Sequence, residues 1–203
     1  MKHLDKFPIA NVGHAANVTR WHSANCMRYP SIAEHSYLVA MYSRYLASVI
    51  APEMSAEDTL LMNDLCLAHD LPEVKTGDMA TPLKRLLESM FPKGESPIDK
   101  IEEKICAPYA DLRERTHGSY VAVIAKLADI MDAIKFIATE GKGSEAQRIQ
   151  RERTLAFQDY VKLGLKGWPE YNWLEANKVL DDLLNGEPEP IDFREIIDSV
   201  KAK

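Results

Sequence analysis

The stretch Leu65-Cys-Leu-Ala-His69-Asp70-Leu-Pro-Glu73 ends an apolar run in an adjacent imidazole and carboxylate. Neighbouring residues do not share a helix face, but at a helix end the chain leaves ideal geometry and the two groups can converge on one ion. A neutral nitrogen beside an oxygen suits borderline divalent metals such as Mn2+, Co2+, Fe2+, Ni2+ or Zn2+. Taken alone, the dipeptide also reads as an ordinary helix C-terminus, with His69 meeting the dipole and Asp70 capping the next turn. Two further side chains shift that balance. His35 stands one turn into the segment opened by Ser31-Ile-Ala-Glu34. Asp129 lies in Lys126-Leu-Ala-Asp129-Ile-Met, where a carboxylate among apolar neighbours needs a cation: a metal, or an Arg or Lys. Asp132 is the competing acid. The chain thus offers His, then His-Asp, then Asp, from three segments that one ion can join.

These segments read as helices. Ser31-Ile-Ala-Glu34 has capping-box spacing and opens a helix to about Ile50, with Leu38, Met41, Tyr42 and Tyr45 at helical spacing. The Met and Tyr stripe of 37–45 is read as core. Ser55 opens a second helix, with Leu60, Leu61, Leu65 and Ala68 on one face, and Pro72 limits it. Thr81-Pro82 and Ser96-Pro97 read as N-caps followed by proline. Gly118-Ser119 precedes a strong helix with Val121, Ile124, Leu127, Ala128, Met131, Ile134 and Ile137 on its core side, stopped at Gly141. Ser144 opens another to about Leu163. Gly167-Trp-Pro169 breaks it, and a last long helix ends at Asn185-Gly186, with one more short helix from Ile191. The expected fold class is all-α, seven to nine helices around one core.

The bulk properties narrow the function. A chain of 203 residues is one domain with a substantial core. A formal net charge of −6 argues against a protein that coats duplex nucleic acid. Cys26, Cys66 and Cys106 are odd in number and widely spaced, which suggests buried free thiols in a reducing cytoplasm. The N-terminal stretch MKHLDKFPIANVGHAANV has no signal-peptide pattern, and no segment reaches the roughly 18 apolar residues of a membrane span. His3, His14 and His117 have no ligand-like setting. Arg148, Arg151 and Arg153 read as solvated charge or subunit contact on a polar helix face. Arg28 and Lys75 read singly as surface charge, and His22 adds an imidazole near Arg20-Trp21.

Arg20-Trp21, Glu34-His35-Ser36, the string His69-Asp70-x-x-Glu73-Val-x-Thr76-Gly77-Asp78-x-x-Thr81-Pro82-x-Lys84, and Lys126-x-Ala-Asp129 together resemble the HD-domain phosphohydrolases. Within that superfamily they are similar to the bacterial 5′-deoxynucleotidases and to the compact viral dATP triphosphohydrolases. The resemblance covers roughly residues 14 to 165. It implies a single HD-type domain over 1–203, with 168–203 as a C-terminal helical extension. It implies His35, His69, Asp70 and Asp129 as ligands of a divalent ion (Co2+, Mn2+, Mg2+, Ni2+, Fe2+ or Zn2+). It gives Glu73 the attacking water and Asp78 a place near the sugar and leaving oxygen. Arg20 and Lys84 would face phosphate, Trp21 the nucleoside, and Pro82 the base.

The expected activity is cleavage of the 5′ phosphate ester of a 2′-deoxynucleotide. The products are a deoxynucleoside with phosphate from a dNMP, or with tripolyphosphate from a dNTP, dATP foremost. The alternatives are a non-catalytic HD-fold sensor of nucleotide or metal, or an HD hydrolase of another nucleotide class. A sensor would lack a ligand or the water-positioning acid, and every one of these positions is filled. The resemblance also implies a homo-oligomer, a dimer or larger, acting on a small molecule in the cytoplasm, the host's if virus-encoded, without nucleic-acid or membrane partners.

Overall fold

The computed structural model describes residues 7–92, 95–189 and 192–201. Among these the chain forms eleven helical segments and no strand beyond two isolated bridges. In order they are α1 (Ile9–His14), α2 (Ile32–Ile50), α3 (Ala56–Ala68), α4 (Glu73–Thr76), α5 (Thr81–Ser89), α6 (Pro97–Ile105), α7 (Ala107–Thr116), α8 (Tyr120–Glu140), α9 (Gly143–Gly167), α10 (Glu175–Asn185) and α11 (Phe193–Lys201). Nine of them run nine residues or longer, so the all-α expectation and its helix count hold. His3 and Ile191 lie outside the described residues.

The capping signals act largely as the sequence implies. Ser31, Ser55, Ser96 and Ser119 each accept a hydrogen bond from the backbone N–H three residues on, which satisfies a donor that the first helical turn leaves unpaired. Thr81 departs from the expectation. It is the first helical residue of α5 and caps nothing, because Ala80 takes the cap position. Its hydroxyl is engaged elsewhere, accepting from Arg153 at 2.7 Å.

The hub is α8. Val121, Ile124, Leu127, Ala128, Met131, Ile134 and Ile137 are all buried, as their spacing predicts. Helices α2, α3 and α9 pack around it, and α10 closes the assembly against α2 and α8. Trp173, just before α10, is wholly buried, and its indole N–H donates to the Trp168 carbonyl at 2.8 Å. Residues of α10 share the main core with α2, α3 and α8.

Helix α2 corrects the sequence reading. Its core face is Val39, Ala40, Ser43, Leu46, Ala47 and Ile50. Tyr37, Met41 and Tyr45 point outward, 59%, 48% and 59% exposed, while Tyr42 is half-buried. The helix is apolar on two faces, and the one carrying Val39, Leu46 and Ile50 turns inward. Leu60 of α3 is likewise exposed. The three cysteines are buried and unbridged. No helix of the described residues is long and apolar enough to cross a membrane.

Candidate active site and metal centre

The site is assembled where α2, the end of α3 and the middle of α8 meet. His35, on α2, is buried with its ring against α8. Its Nδ1 lies 2.6 Å from Asp132 Oδ2. A carboxylate oxygen accepts, so Nδ1 carries a proton and Nε2 is the nitrogen turned to the cluster. His69 is fixed in the same sense: its Nδ1 donates to the Cys66 carbonyl at 2.7 Å. The two Nε2 atoms then face each other at 3.1 Å, and Asp129 Oδ1 is 3.4 Å from His35 Nε2. Two ring nitrogens and a carboxylate oxygen that converge in a buried place favour a positive charge between them, a proton or a metal ion. One ligand atom each from His35, His69 and Asp129 lies within 4.8 Å of the others, a candidate metal site. The residues fit a divalent ion of the borderline class, with two imidazole nitrogens, one carboxylate oxygen and a second carboxylate at hand.

Asp70 is that second carboxylate. It is buried, with Oδ2 3.5 Å from His35 Nε2 and Oδ1 3.4 Å from His69 Nε2. Arg20 Nη1 stands 3.3 Å from Asp70 Oδ2. Burial opposes the ionised form of Asp70, but His69, Arg20 and His35 overcome it and hold its carboxyl far below the usual range. Burial likewise works against Asp129, and Lys126, at 2.6 Å, with the two imidazoles, keeps it ionised. Burial and Arg20 push the His35 imidazole down, yet Asp129, Asp132 and Asp70 prevail and raise it to about 9. The pull of a site this negative on a proton is the pull it exerts on a metal. In the sequence Asp132 stood as a rival to Asp129. In the fold it is the acid that orients His35, and Asp129 is the one in the cluster.

Pro72 does not divert the chain away from the site. It takes right-handed helical angles, and Glu73, Val74 and Lys75 each donate a backbone N–H three residues back. The tight path puts Glu73 one turn beyond Asp70 and buries it at 3% exposure. Burial and Asp70 push the Glu73 carboxyl up to about 8, against the pull of Lys84, whose Nζ donates to Glu73 Oε1 at 2.8 Å. Pro82 is exposed on the first turn of α5, between Thr81 and Lys84.

Arg20 and Trp21 lie in the loop between α1 and α2, which is pinned at both ends. Arg20 N donates to Pro30 O and Ile32 N to Val18 O, each at 2.9 Å. Met27 N donates to Glu140 O and Lys142 N to Asn25 O, tying the loop to the end of α8. Trp21 holds a φ of 66°, a left-handed conformation that a bulky residue rarely adopts. Two contacts keep it there. Its backbone N–H donates to Asp78 Oδ2 at 3.1 Å. Its indole stacks on Phe136, with ring centroids 5.6 Å apart and planes 18° from parallel. Arg28 covers the Phe136 ring as well, at 5.6 Å, and is paired with Glu34 and Glu140. Gly77 supplies the positive φ of 74° that turns Asp78 toward Trp21. His22 is exposed, its Nδ1 3.8 Å from Asp78 Oδ2.

Among the described residues, the buried side-chain polar atoms without a hydrogen-bond partner are Arg20 Nε and Nη1, Asp70 Oδ2 and Glu73 Oε2. All four border the cluster. Arg20 Nη1 and Asp70 Oδ2 face each other as an ion pair, which leaves Arg20 Nε and Glu73 Oε2 unmet; buried polar atoms are normally satisfied, so such atoms beside the cluster mark a place prepared for a ligand. The sequence missed Phe136, one more apolar residue of α8 by its pattern, and the half-buried setting of Arg153, whose Nη2 donates to Thr81 Oγ1.

The comparisons with known proteins agree with this geometry. The chain is 28% identical over 198 residues to a dATP triphosphohydrolase of Acinetobacter phage SH-Ab 15497, covering 92% of this chain and 95% of the relative. It is 30% identical over 152 residues to a dATP triphosphohydrolase of Salmonella phage PMBT28, covering 72% and 74%. It is 27% identical over 169 residues to the 5′-deoxynucleotidase YfbR of Salmonella arizonae, covering 73% and 82%. In fold it is similar to the Cyanophage S-2L HD phosphohydrolase (DatZ) bound to dA and one catalytic Zn2+ ion, with a TM-score of 0.71 at 22% identity over 86% of this chain and 97% of that one. Residues 9–146, which carry every position described above except Arg153 and the α10 packing, match the model of one family. The chain therefore belongs to the family described as 5′-deoxynucleotidase YfbR-like.

Proposed function

We propose that this chain hydrolyses the 5′ phosphate ester of 2′-deoxynucleotides in a metal-dependent reaction, with dATP as the favoured substrate and deoxyadenosine and tripolyphosphate as products. The observation that carries the reading is the meeting of His35 Nε2, His69 Nε2 and Asp129 Oδ1, with Asp70 beside them. The dATP preference is supported by the phage dATP triphosphohydrolase that matches this chain along nearly its whole length. The same site acting on a deoxynucleoside monophosphate, releasing phosphate, is the second reading, supported by the relatives named 5′-deoxynucleotidase.

His35, His69, Asp70 and Asp129 would hold one divalent ion, of the Co2+, Mn2+, Mg2+, Ni2+, Fe2+ or Zn2+ group. When bound, such an ion polarises a phosphoryl oxygen and acidifies the attacking water. The side chains do the rest. Glu73 takes the proton as the water oxygen bonds to phosphorus and the bond from phosphorus to the 5′ oxygen breaks, and that proton passes to the 5′ oxygen as the deoxynucleoside leaves. Lys84 opposes the burial that favours the protonated form of Glu73, and with Arg20 it offsets the charge on the phosphate. The buried Arg20 Nε, which has no hydrogen-bond partner, suits a charge-assisted bond to a phosphate oxygen. Asp78 holds the Trp21 backbone near the sugar and leaving oxygen, the indole lines the nucleoside, and Pro82 contacts the base. A non-catalytic sensor is disfavoured because the acid at position 73 is present and buried beside the cluster.

The same reading takes 1–203 as one HD-type domain with 168–203 as a helical extension, supported by the burial of Trp173 in the main core. The exposed Tyr37, Met41 and Tyr45 support a homo-oligomer, a dimer or larger. The buried free thiols fit a reducing compartment, the cytoplasm of the cell or of a viral host.

Metal-stripped protein, resupplied with each ion in turn and offered dNMPs, dNTPs and ribonucleotides, tests the proposal. Tripolyphosphate from dATP with little turnover of ATP is the expected result. Orthophosphate from dNMPs alone moves the assignment to the monophosphate reading. No metal-restored hydrolysis of any deoxynucleotide overturns both.

A further inference from the structure

The arginines of α9 do not share one role. Arg148 is exposed and paired with Glu145 and Glu152, at 3.6 and 2.7 Å. Arg153 is half-buried and turned toward the site, its Nη2 donating to Thr81 Oγ1 at 2.7 Å. Among the described residues no carboxylate lies within 4.0 Å of its guanidinium. A guanidinium carries five N–H donors, and a hydroxyl partner leaves its charge uncompensated.

Its position relative to the cluster is set through Thr81. Thr81 lies three residues before Lys84 on α5, so the two share a helix face, and Lys84 reaches Glu73 at 2.8 Å. Arg153 therefore stands on the α5 flank of the cluster, one helical turn along α5 from the lysine that reaches Glu73. A monophosphate has no charge to put there. The second and third phosphates of a triphosphate do.

We propose that Arg153 forms part of the subsite for the β- and γ-phosphates of a deoxynucleoside triphosphate, and that it sets the preference for triphosphate over monophosphate. The proposal rests on the deoxynucleotide reading of the same site and adds the residue that selects phosphate-chain length. Planar guanidinium matches phosphate oxygens through paired hydrogen bonds, which the point charge of a lysine does not reproduce.

The test compares wild type, Arg153→Gln and Arg153→Lys, each loaded with Co2+. Gln keeps a donor for Thr81 but drops the charge. The KM for dATP should rise at least about tenfold in Arg153→Gln, equivalent to about 1.4 kcal/mol, while the KM for dAMP stays within about twofold and Lys restores part of the loss. Calorimetric titration with inorganic tripolyphosphate and with orthophosphate gives a readout independent of turnover. Wild type should bind tripolyphosphate more tightly than orthophosphate, and the charge-removed variant should lose that difference. Equal losses for dATP and dAMP, or an unchanged KM for dATP, overturn the subsite and leave Arg153 as a tie between α9 and α5. If no deoxynucleotide is hydrolysed by wild type, the hydrolase reading fails by itself. The titration then still decides the subsite: a tripolyphosphate preference lost in Arg153→Gln upholds it, and no preference sinks it. Should Arg153→Gln fail to fold, wild type binding tripolyphosphate no better than orthophosphate overturns it too.

Discussion

Asp132 Oδ2 sits 2.6 Å from His35 Nδ1, and this contact fixes which imidazole nitrogen faces the cluster. Oriented acids behind metal-ligating histidines set both tautomer and basicity, and losing one costs about 10–100-fold in metal affinity. Asp132→Asn should therefore bind Co2+ about 10–100-fold more weakly, read by titration of the metal-stripped protein, with its helical content unchanged by circular dichroism. Unchanged affinity would remove Asp132 from the site.

Glu73 and the proposed ligands should separate cleanly. Glu73→Gln keeps size and burial but cannot accept a proton. It should retain the metal and lose about 10²–10⁴-fold in kcat. Asp70→Ala should lose the metal together with activity. Metal analysis of both purified variants beside their rates makes the distinction, and full activity in Glu73→Gln would refute its role as the base.

Phe136 is predicted to act on substrate through Trp21. Aromatic pairs of this kind contribute about 0.5–1.5 kcal/mol beyond their burial. Phe136→Leu keeps an apolar side chain beside Ile137 and Ala146 but gives up the stack. The KM for the deoxynucleotide should rise several-fold and discrimination against the ribonucleotide should weaken, with metal affinity intact. Phe136→Tyr, which preserves the stack, should retain both. Loss of metal affinity in Phe136→Leu would show a general disturbance of α8 instead.

The packing of the C-terminal segment has its own test. A Cβ at Gly164 would run into the Trp173 ring, which is wholly buried and held by its bond to Trp168. Overpacking of this sort costs about 1–3 kcal/mol. Gly164→Ala should lower Tm by several degrees, at roughly 2–4 °C per kcal/mol for a chain of this size. An unchanged Tm would mean that residues 168–185 dock more loosely than the core contacts indicate.

The sequence carried the site further than it carried the surface. His35, His69-Asp70 and Asp129 were legible because polar residues on apolar helix faces need a reason to be there. Their convergence follows from α2, α3 and α8 packing on those faces. Helical period alone does not say which of two apolar faces turns inward, so Tyr37, Met41 and Tyr45 were expected in the core and lie outside it. Thr81 looked like a cap because nothing local announces that an arginine 72 residues away will claim its hydroxyl. Asp132 and Asp129 are one helical turn apart in similar surroundings, and only the tilt of His35 between them decides which orients and which faces the cluster.

The hydrogen bond from position 21 to Asp78 leaves from the main chain, so it survives any exchange of the side chain there except proline. Anchorage and recognition are thereby uncoupled. The residues that bear the unusual φ most easily, glycine and asparagine, would keep that bond and relieve backbone strain of roughly 1–3 kcal/mol. The strained backbone at position 21 is thus held by a contact that its own side chain does not make.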